Sequence, residues 1–278
     1  MPTATITAMV IIMATDIATA TIMPMAITIT ITDMSTDTTP IIMTGSGANL
    51  ASEGLLRLLS WLSPAFPTGA YSYSHGLEQT VERGYIHDLV SLVEWLDADL
   101  RFGSARNEGI FFKTAWIAAR DRDHDRLFEV AKTAAAYRGT AELSLESTQQ
   151  GAASLAILRR VWPDPVLDDL ARALVARDVA PTLAVVLGAR TAGQDIPLPL
   201  AMSAFLQSYV SNLISAAVRL ISIGQTSGQL ALAELEPVVI EVGRQLLDAS
   251  LEDLGSAAFM IDVVSMAHET QYTRLFRS

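Results

Sequence analysis

Apolar side chains recur at helical spacing through most of this chain, beginning at Glu53. Leu55, Leu58, Leu59 and Leu62 make the first such run apolar enough to predict a helix that is buried on more than one side. Asp88 is placed to cap a third run, and Gly84 to end the second. Further amphipathic runs are found at 107–120, 123–137, 140–161, 166–177, 182–190, 200–224, 230–235, 238–249 and 257–266.

The run at 200–224 is the longest periodic segment, and it predicts a central core helix. Helical runs do not alternate with β-branched strands, so a parallel sheet is not expected. Residues 49–267 are therefore predicted to form one all-α domain, a bundle of about ten helices.

Residues 1–48 have a different composition. They hold seven of the ten methionines and contain no Lys, Arg, Glu, Leu or aromatic residue. The alternation of Ile with Thr over Ala26–Thr32 has the period of a strand, but no partner strand is evident. We expect disorder or a marginal strand here.

Codon arithmetic offers a sharper hypothesis for the same segment. Read one base earlier, Thr, Ile and Met codons can become His codons, and Ala codons can become Gly codons. Met13–Thr38 is therefore the sequence expected where the neighbouring frame encodes a His- and Gly-rich tract. On this interpretation the segment overlaps an upstream gene for a His-rich metal-binding tail, and translation starts near Met43. A genuine low-complexity extension is the alternative, and the intact mass of natively expressed protein separates the two.

Charge and cysteine content exclude several classes of function. A net charge of −11 argues against nucleic-acid binding, which needs clustered Lys and Arg. The absence of cysteine excludes disulfides, thiolate metal sites and Cys nucleophiles. The chain contains no phosphate-binding loop, no uninterrupted apolar run of membrane-spanning length and no basic stretch typical of a secretory signal. We expect a cytoplasmic protein that does not act on membranes.

The stretch SPAFPTGAYSYSHGLE, residues 63–78, carries more chemistry than an ordinary connection between helices. Its two prolines must end the first helix near Leu62, and Gly69 permits a turn that a side chain would obstruct. A rigid corner between helices explains most of it. Tyr73, His75 and Glu78 are nevertheless its candidate partner-binding residues.

Two later stretches also stand out. In VRLISIGQTSG, Arg219 lies within an apolar helix and needs a carboxylate or carbonyl partner, and Gln225 could cap that helix or face another protein. The end of the chain, HETQYTRLFRS, mixes aromatic and basic anchors, so it is either docked on its own fold or reserved for a partner. Its candidate residues are His268, Tyr272, Arg274, Leu275, Phe276 and Arg277.

SPAFPTGAYSYSHGLE, AAVRLISIGQTSGQ and HETQYTRLFRS together resemble the urease accessory protein F family, in order and in spacing. The resemblance covers 52–278. It implies an all-α homodimer that acts as a scaffold, linking the D/H accessory protein and the nickel-carrying GTPase G to apo-urease for Ni(II) insertion. It further implies that this chain is not an enzyme and binds no cofactor itself, since the complex handles Ni(II) and GTP.

The same resemblance implies that residues 268–278 form a tail that orders itself on the D/H partner. An alternative function remains open, in which the chain regulates GTP hydrolysis by the GTPase partner. GTP turnover by that partner, measured with and without this chain, discriminates the two.

Overall fold

A computed structural model describes residues 5–9, 26–30 and 45–278, which fall into two separate units. In the first, strand β1 (Thr5–Met9) pairs antiparallel with β2 (Ala26–Thr30), Thr5 opposite Thr30 and Met9 opposite Ala26. The strand period of β2 is confirmed. Its partner was missed, because a ladder is made by the backbone and five residues of alternating Thr and apolar side chains give little signal. The rest of Met13–Thr38 lies outside the described residues.

The second unit, residues 45–278, is all-α, as predicted, with eleven α-helices in its described chain. It begins at Gly45, four residues before the predicted boundary at 49. The helices are α1 (Gly45–Trp61), α2 (Leu77–Glu82), α3 (Leu89–Phe102), α4 (Ser104–Arg120), α5 (His124–Ala136), α6 (Ala141–Val161), α7 (Pro165–Ala176), α8 (Leu183–Ala192), α9 (Leu198–Leu220), α10 (Gln225–Leu246) and α11 (Phe259–His268). Short 3₁₀ turns occupy Ala70–Ser72 and Leu251–Asp253.

The predicted helix starts are confirmed by side-chain caps. Asp88, Asp123 and Thr140 each accept a hydrogen bond from a backbone N–H in the first turn of the following helix. Gly84, after α2, has the left-handed φ of 74° expected of a residue that ends a helix.

The centre of the core is the contact between α4 and α8, and α9 contributes one face to it. Every residue of α8 from Ala184 to Ala192 is buried. Gly188 lets the two backbones approach, since a Cβ there would collide with the carbonyl oxygen of Phe112. The longest predicted run forms α9, which also lies in the core: Met202, Phe205 and Leu206 are among its buried residues, and it packs on α10, α4 and α2.

Over 52–61, the part of α1 whose side chains are described, the helix is buried on one side only, contrary to prediction. Leu58 and Trp61 are each 3% exposed, whereas Leu55, Leu56 and Leu59 are 49 to 64% exposed. A run of leucines does not itself say how many of its faces find a neighbour.

Two predicted boundaries near the second motif were also wrong. Helix α9 ends at Leu220 because Ile221 is extended, with φ −116° and ψ 153°. The runs at 230–235 and 238–249 form the single helix α10, which continues through Pro237. Its buried residues fall on both sides of the proline, so packing holds the two halves in one line. They include Ala231, Leu235, Val239, Val242 and Leu246.

None of the helices within 45–278 combines the length and the apolar character needed to cross a bilayer.

Candidate partner-binding site

The turn before α2 is built from left-handed backbone conformations. Gly69 has φ 78°, and no atom lies within 4 Å of where its Cβ would be, so its backbone conformation alone requires glycine. Gly76 has φ 80° and additionally lies against α11, where a Cβ would be 3.2 Å from the Ser265 backbone. Between them, His75 takes φ 58° without being a glycine.

Tyr73 and Glu78 are 4% and 8% exposed, so both lie inside the chain's own fold. The Tyr73 hydroxyl donates to Gln149 Oε1 on α6. The Glu78 carboxylate accepts the backbone N–H groups of Leu275, at 2.6 Å, and Phe276, at 2.9 Å. The first motif therefore forms a docking site for the end of the same chain.

The C-terminal tail, residues 269–278, is ordered on this chain's own helices. The Arg277 N–H donates to the Ser72 carbonyl at 2.9 Å, and the Ser74 N–H donates to the Ser278 carbonyl at 2.8 Å. The Phe276 side chain is 4% exposed. Two roles were predicted for the tail: docking on its own fold, or binding a partner. In the structure the tail is docked on its own fold, whereas the resemblance implies ordering on a partner.

Arg219 clamps the turn to the tail. Its guanidinium carbon lies 3.8 Å from the centroid of the Tyr71 ring and 4.4 Å from that of Phe276. Its Nη1 donates to the Tyr71 carbonyl at 2.8 Å and its Nε to the Ser215 carbonyl at 3.1 Å. The expected carbonyl partners of Arg219 are confirmed.

Gln225, by contrast, is exposed and begins α10, with Gly224 at the N-cap position. It caps no part of α9, because that helix ends five residues earlier. A role at a partner surface stays a prediction for it.

His268 is fully buried between two carboxylates. Its Nδ1 lies 2.6 Å from Glu142 Oε2, and its Nε2 lies 3.2 Å from Glu78 Oε2. One oxygen of each carboxylate is therefore within hydrogen-bonding distance of the imidazole ring. Arg274 completes the group by donating to Glu142 Oε1 at 2.6 Å.

His75 belongs to a second cluster of buried polar side chains. Its Nε2 lies 2.8 Å from Ser104 Oγ and 2.9 Å from Tyr209 Oη, and its Nδ1 lies 3.4 Å from Glu146 Oε2. Burial by itself lowers the pKa of His75, but the Glu146 and Asp99 carboxylates outweigh burial, so the pKa is raised above its usual value. Burial, together with Asp99, also raises the pKa of Tyr209.

A cavity of about 380 Å³ opens beside His75 and Tyr209. Arg138, which donates to Glu108, lies in its wall, and burial lowers the pKa of Arg138 to about 10. Asp262 faces the same space, and burial raises the pKa of its carboxyl group. Within the described chain, no group of three or more His, Cys, Asp or Glu side chains is arranged to hold a metal ion.

Helix α11 presents an apolar face to solvent. Phe259, Met260, Val263 and Met266 are 43 to 69% exposed, while Ile261 and Val264 on the other side are buried. Tyr272 and Leu275, in the tail that follows, are also exposed. We call Phe259, Met260, Val263, Met266, Tyr272 and Leu275 the α11–tail surface.

Sequence reasoning named Tyr272 and Leu275 but missed the α11 face and the carboxylates Glu142 and Glu146. The two glutamates resemble ordinary solvent-facing residues of a helix, and only the tertiary packing of α6 brings them against the tail and the buried histidines. The α11 face had a detectable signal, since MIDVVSM is apolar almost all round.

Comparison with known proteins gives a consistent result. The UreF family model matches residues 86–236. A urease accessory protein UreF of Rhodopseudomonas palustris (strain BisB5) is 47% identical over 88% of this chain and its own full length. A namesake from strain HaA2 is 48% identical over 84% of this chain and 98% of its own length. The one from Granulibacter bethesdensis is 43% identical over 88% of this chain and its own full length.

The fold is helical, and the first two motifs lie against the third, the tail. Together with the similarity along nearly the whole length of these relatives, this establishes that the chain belongs to the UreF family of urease accessory proteins.

Proposed function

We propose that this chain is a cytoplasmic scaffold in urease maturation, which links the D/H accessory protein and the nickel-carrying GTPase G to apo-urease. The family supplies the process, since its members are urease accessory proteins. The specific partners, a homodimeric state, and the handling of Ni(II) and GTP by the complex instead of by this chain are parts of the proposal.

The observation that carries the proposal is the α11–tail surface. Six large apolar side chains lie exposed within the last twenty residues of the chain, and Tyr272 is 103% exposed. Large apolar side chains exposed near one another in the chain are typical of protein-binding surfaces, and aromatic residues are the usual anchors in them. Arg274 and Arg277, in the same tail, are also exposed.

A matched pair of substitutions tests this surface. Val263 on α11 and Ile240 on α10 are both β-branched and are 45% and 48% exposed. We expect Val263→Asp to weaken binding of purified D/H accessory protein at least about 10-fold, because a charge placed in an apolar contact must lose its water. Ile240→Asp should leave binding unchanged. Equal effects, or no effect of Val263→Asp, would place the D/H site elsewhere.

Deleting Gln271–Ser278 tests the tail itself. Helix α11 ends at His268, so the deletion should leave the helical circular dichroism signal nearly unchanged while abolishing D/H binding. A collapse of the helical signal would show that the tail is structural. Intact binding would show that the tail anchors are not used.

A further inference from the structure

The cavity beside His75 and Tyr209 is large enough for a small organic molecule. Its volume of about 380 Å³ falls within the range of sites that hold such ligands, and it exceeds what a single bare ion needs. Its wall combines apolar and aromatic side chains with a few polar ones, as is usual in ligand sites. The apolar part includes Tyr137, Leu183 and Phe205.

The positive charges in the wall of the cavity already have partners. Arg138 donates to Glu108, and His75 lies against Glu146. Each cation therefore has a carboxylate of its own, and neither is left over for a bound anion.

Asp262 is the charged group of the wall that has no partner. It lies in the first turn of α11, lines the cavity, and makes neither a hydrogen bond nor an ion pair within the described chain. Burial, together with the nearby carboxylate of Asp99, raises its pKa, so its negative charge is poorly compensated by the surrounding protein. A positively charged group in the cavity would supply the missing partner.

Two further residues prepare this place for a ligand. Gly139 leaves room for the carboxylate, since a Cβ there would be 2.9 Å from Asp262 Oδ1. Asn212, on α9, also lines the cavity, and its side chain makes no hydrogen bond within the described chain. Its amide oxygen is therefore free to accept an N–H from a ligand.

We propose that this cavity binds a small organic cation, an ammonium or guanidinium group on a compact apolar body, with Asp262 as its charge partner. Asn212 accepts a second hydrogen bond, and the apolar wall surrounds the body of the ligand. A bare metal ion fits less well, because no three His, Cys, Asp or Glu side chains of residues 5–9, 26–30 and 45–278 are grouped to hold one. The site concerns this chain alone and does not depend on the proposed function.

Three molecules of similar shape and different charge test the site in the unsubstituted chain. In isothermal titration calorimetry at constant ionic strength, benzylammonium should bind with a dissociation constant below about 10 mM, which a ligand of this size can reach. Neutral benzyl alcohol and anionic benzoate should bind at least about 10-fold more weakly. The proposal is overturned if benzylammonium shows no saturable binding, or if either of the other two binds as tightly.

A matched pair of variants places the cation at Asp262. Asp262→Asn removes the charge at nearly constant volume and should weaken benzylammonium binding at least about 10-fold. Asp97→Asn is the control, because Asp97 is also a half-buried carboxylate but is paired with Arg101 and does not line the cavity. It removes the same unit charge and should leave the affinity unchanged. Equal losses in both variants would mean that binding follows net charge and would overturn the site.

Asn212→Ala provides a second variant. It removes one neutral hydrogen bond and should weaken benzylammonium binding about 3-fold or more, and an unchanged affinity would overturn the role of Asn212. Circular dichroism of each variant shows whether it is folded. If Asp262→Asn does not fold, the comparison of the three ligands decides the proposal, because it uses the unsubstituted chain.

Discussion

At the scale of single residues, the first motif depends on backbone conformations that side chains disfavour. Gly69, His75 and Gly76 all have positive φ within eight positions, and together they turn the chain back toward α2. His75 tolerates this conformation while its ring is held on both sides by Ser104, Tyr209 and Glu146.

Gly69→Ala should lower the free energy of unfolding by about 1 to 2 kcal/mol, because an L side chain in the left-handed region is strained even in open space. Gly255 provides the control, since a Cβ there also meets nothing within 4 Å but the residue has no positive φ. Gly255→Ala should be neutral or slightly stabilising in urea unfolding. An equal loss at both positions would show that φ at Gly69 is not the cause.

The raised pKa of His75 predicts a dependence of stability on pH. Burial opposes the charged ring, but Glu146 and Asp99 favour it more, so the folded pKa exceeds the unfolded value of about 6.5. The contribution is then fully present below about pH 6.5 and is lost as pH rises through the folded pKa. Urea unfolding between pH 6 and pH 8 should show a smaller loss of stability in His75→Gln than in the unsubstituted chain. Parallel curves would contradict the shift.

At the scale of elements, α10 shows packing overriding a local signal. Pro237 has no N–H to donate and should interrupt a helix, yet Gln225–Leu246 is continuous. Leu235 and Val239, on either side of the proline, are both at most 2% exposed. Because one face is buried along both halves of α10, the halves stay aligned as one helix. The proline itself faces solvent.

Because Pro237 is exposed, Pro237→Ala should raise the free energy of unfolding by about 1 to 3 kcal/mol, as it restores a backbone donor and removes a steric conflict. Glu236→Ala, one position earlier and also exposed, should change stability by less than about 0.5 kcal/mol. A loss of stability in Pro237→Ala would mean that the packing of α10 on α3 and α9 requires a bend at the proline.

At the scale of the whole molecule, the helical unit contains its own core. Among the described residues, the buried apolar side chains run from Leu58 to Phe276. The first element of that core is α1, which contributes Leu58 and Trp61.

A chain that begins at Gly45 should therefore keep the thermal midpoint of the full chain, as followed by circular dichroism. A chain that begins at Ser63 loses Leu58 and Trp61 and should melt at a clearly lower temperature, since burying such side chains contributes about 2 to 5 kcal/mol each. A lower midpoint for the first truncation would show that 1–44 stabilises the helical unit.

Much of the fold was predictable because it is local. Caps such as Asp88 and Thr140, and a terminating glycine such as Gly84, act within one turn of helix, so their residues specify the boundary. Two boundaries failed: α9 ends at Leu220, where the backbone of Ile221 becomes extended, and α10 continues through Pro237, where burial of one face on both sides of the proline outweighs local preference.

The candidate site was predictable only in part. The sequence indicated Arg219, the tail and the turn as unusual, and the structure brings all three together around Phe276. The sequence did not indicate Glu142 or Glu146. Their partners in the tail, Arg274 and Ser278, lie more than 130 positions away along the chain.

By itself, the sequence determined the all-α class, most helix boundaries and the family, since periodicity, caps and spaced motifs are properties of short stretches of chain. Only the tertiary structure decided that α4 and α8 form the centre, that α1 is covered on one side, and that Tyr73, Glu78 and Phe276 are interior. Burial and ion pairing depend on which surfaces meet. Thus SPAFPTGAYSYSHGLE marks the family, and the packing of α2, α6 and α11 makes it the place where the tail is held.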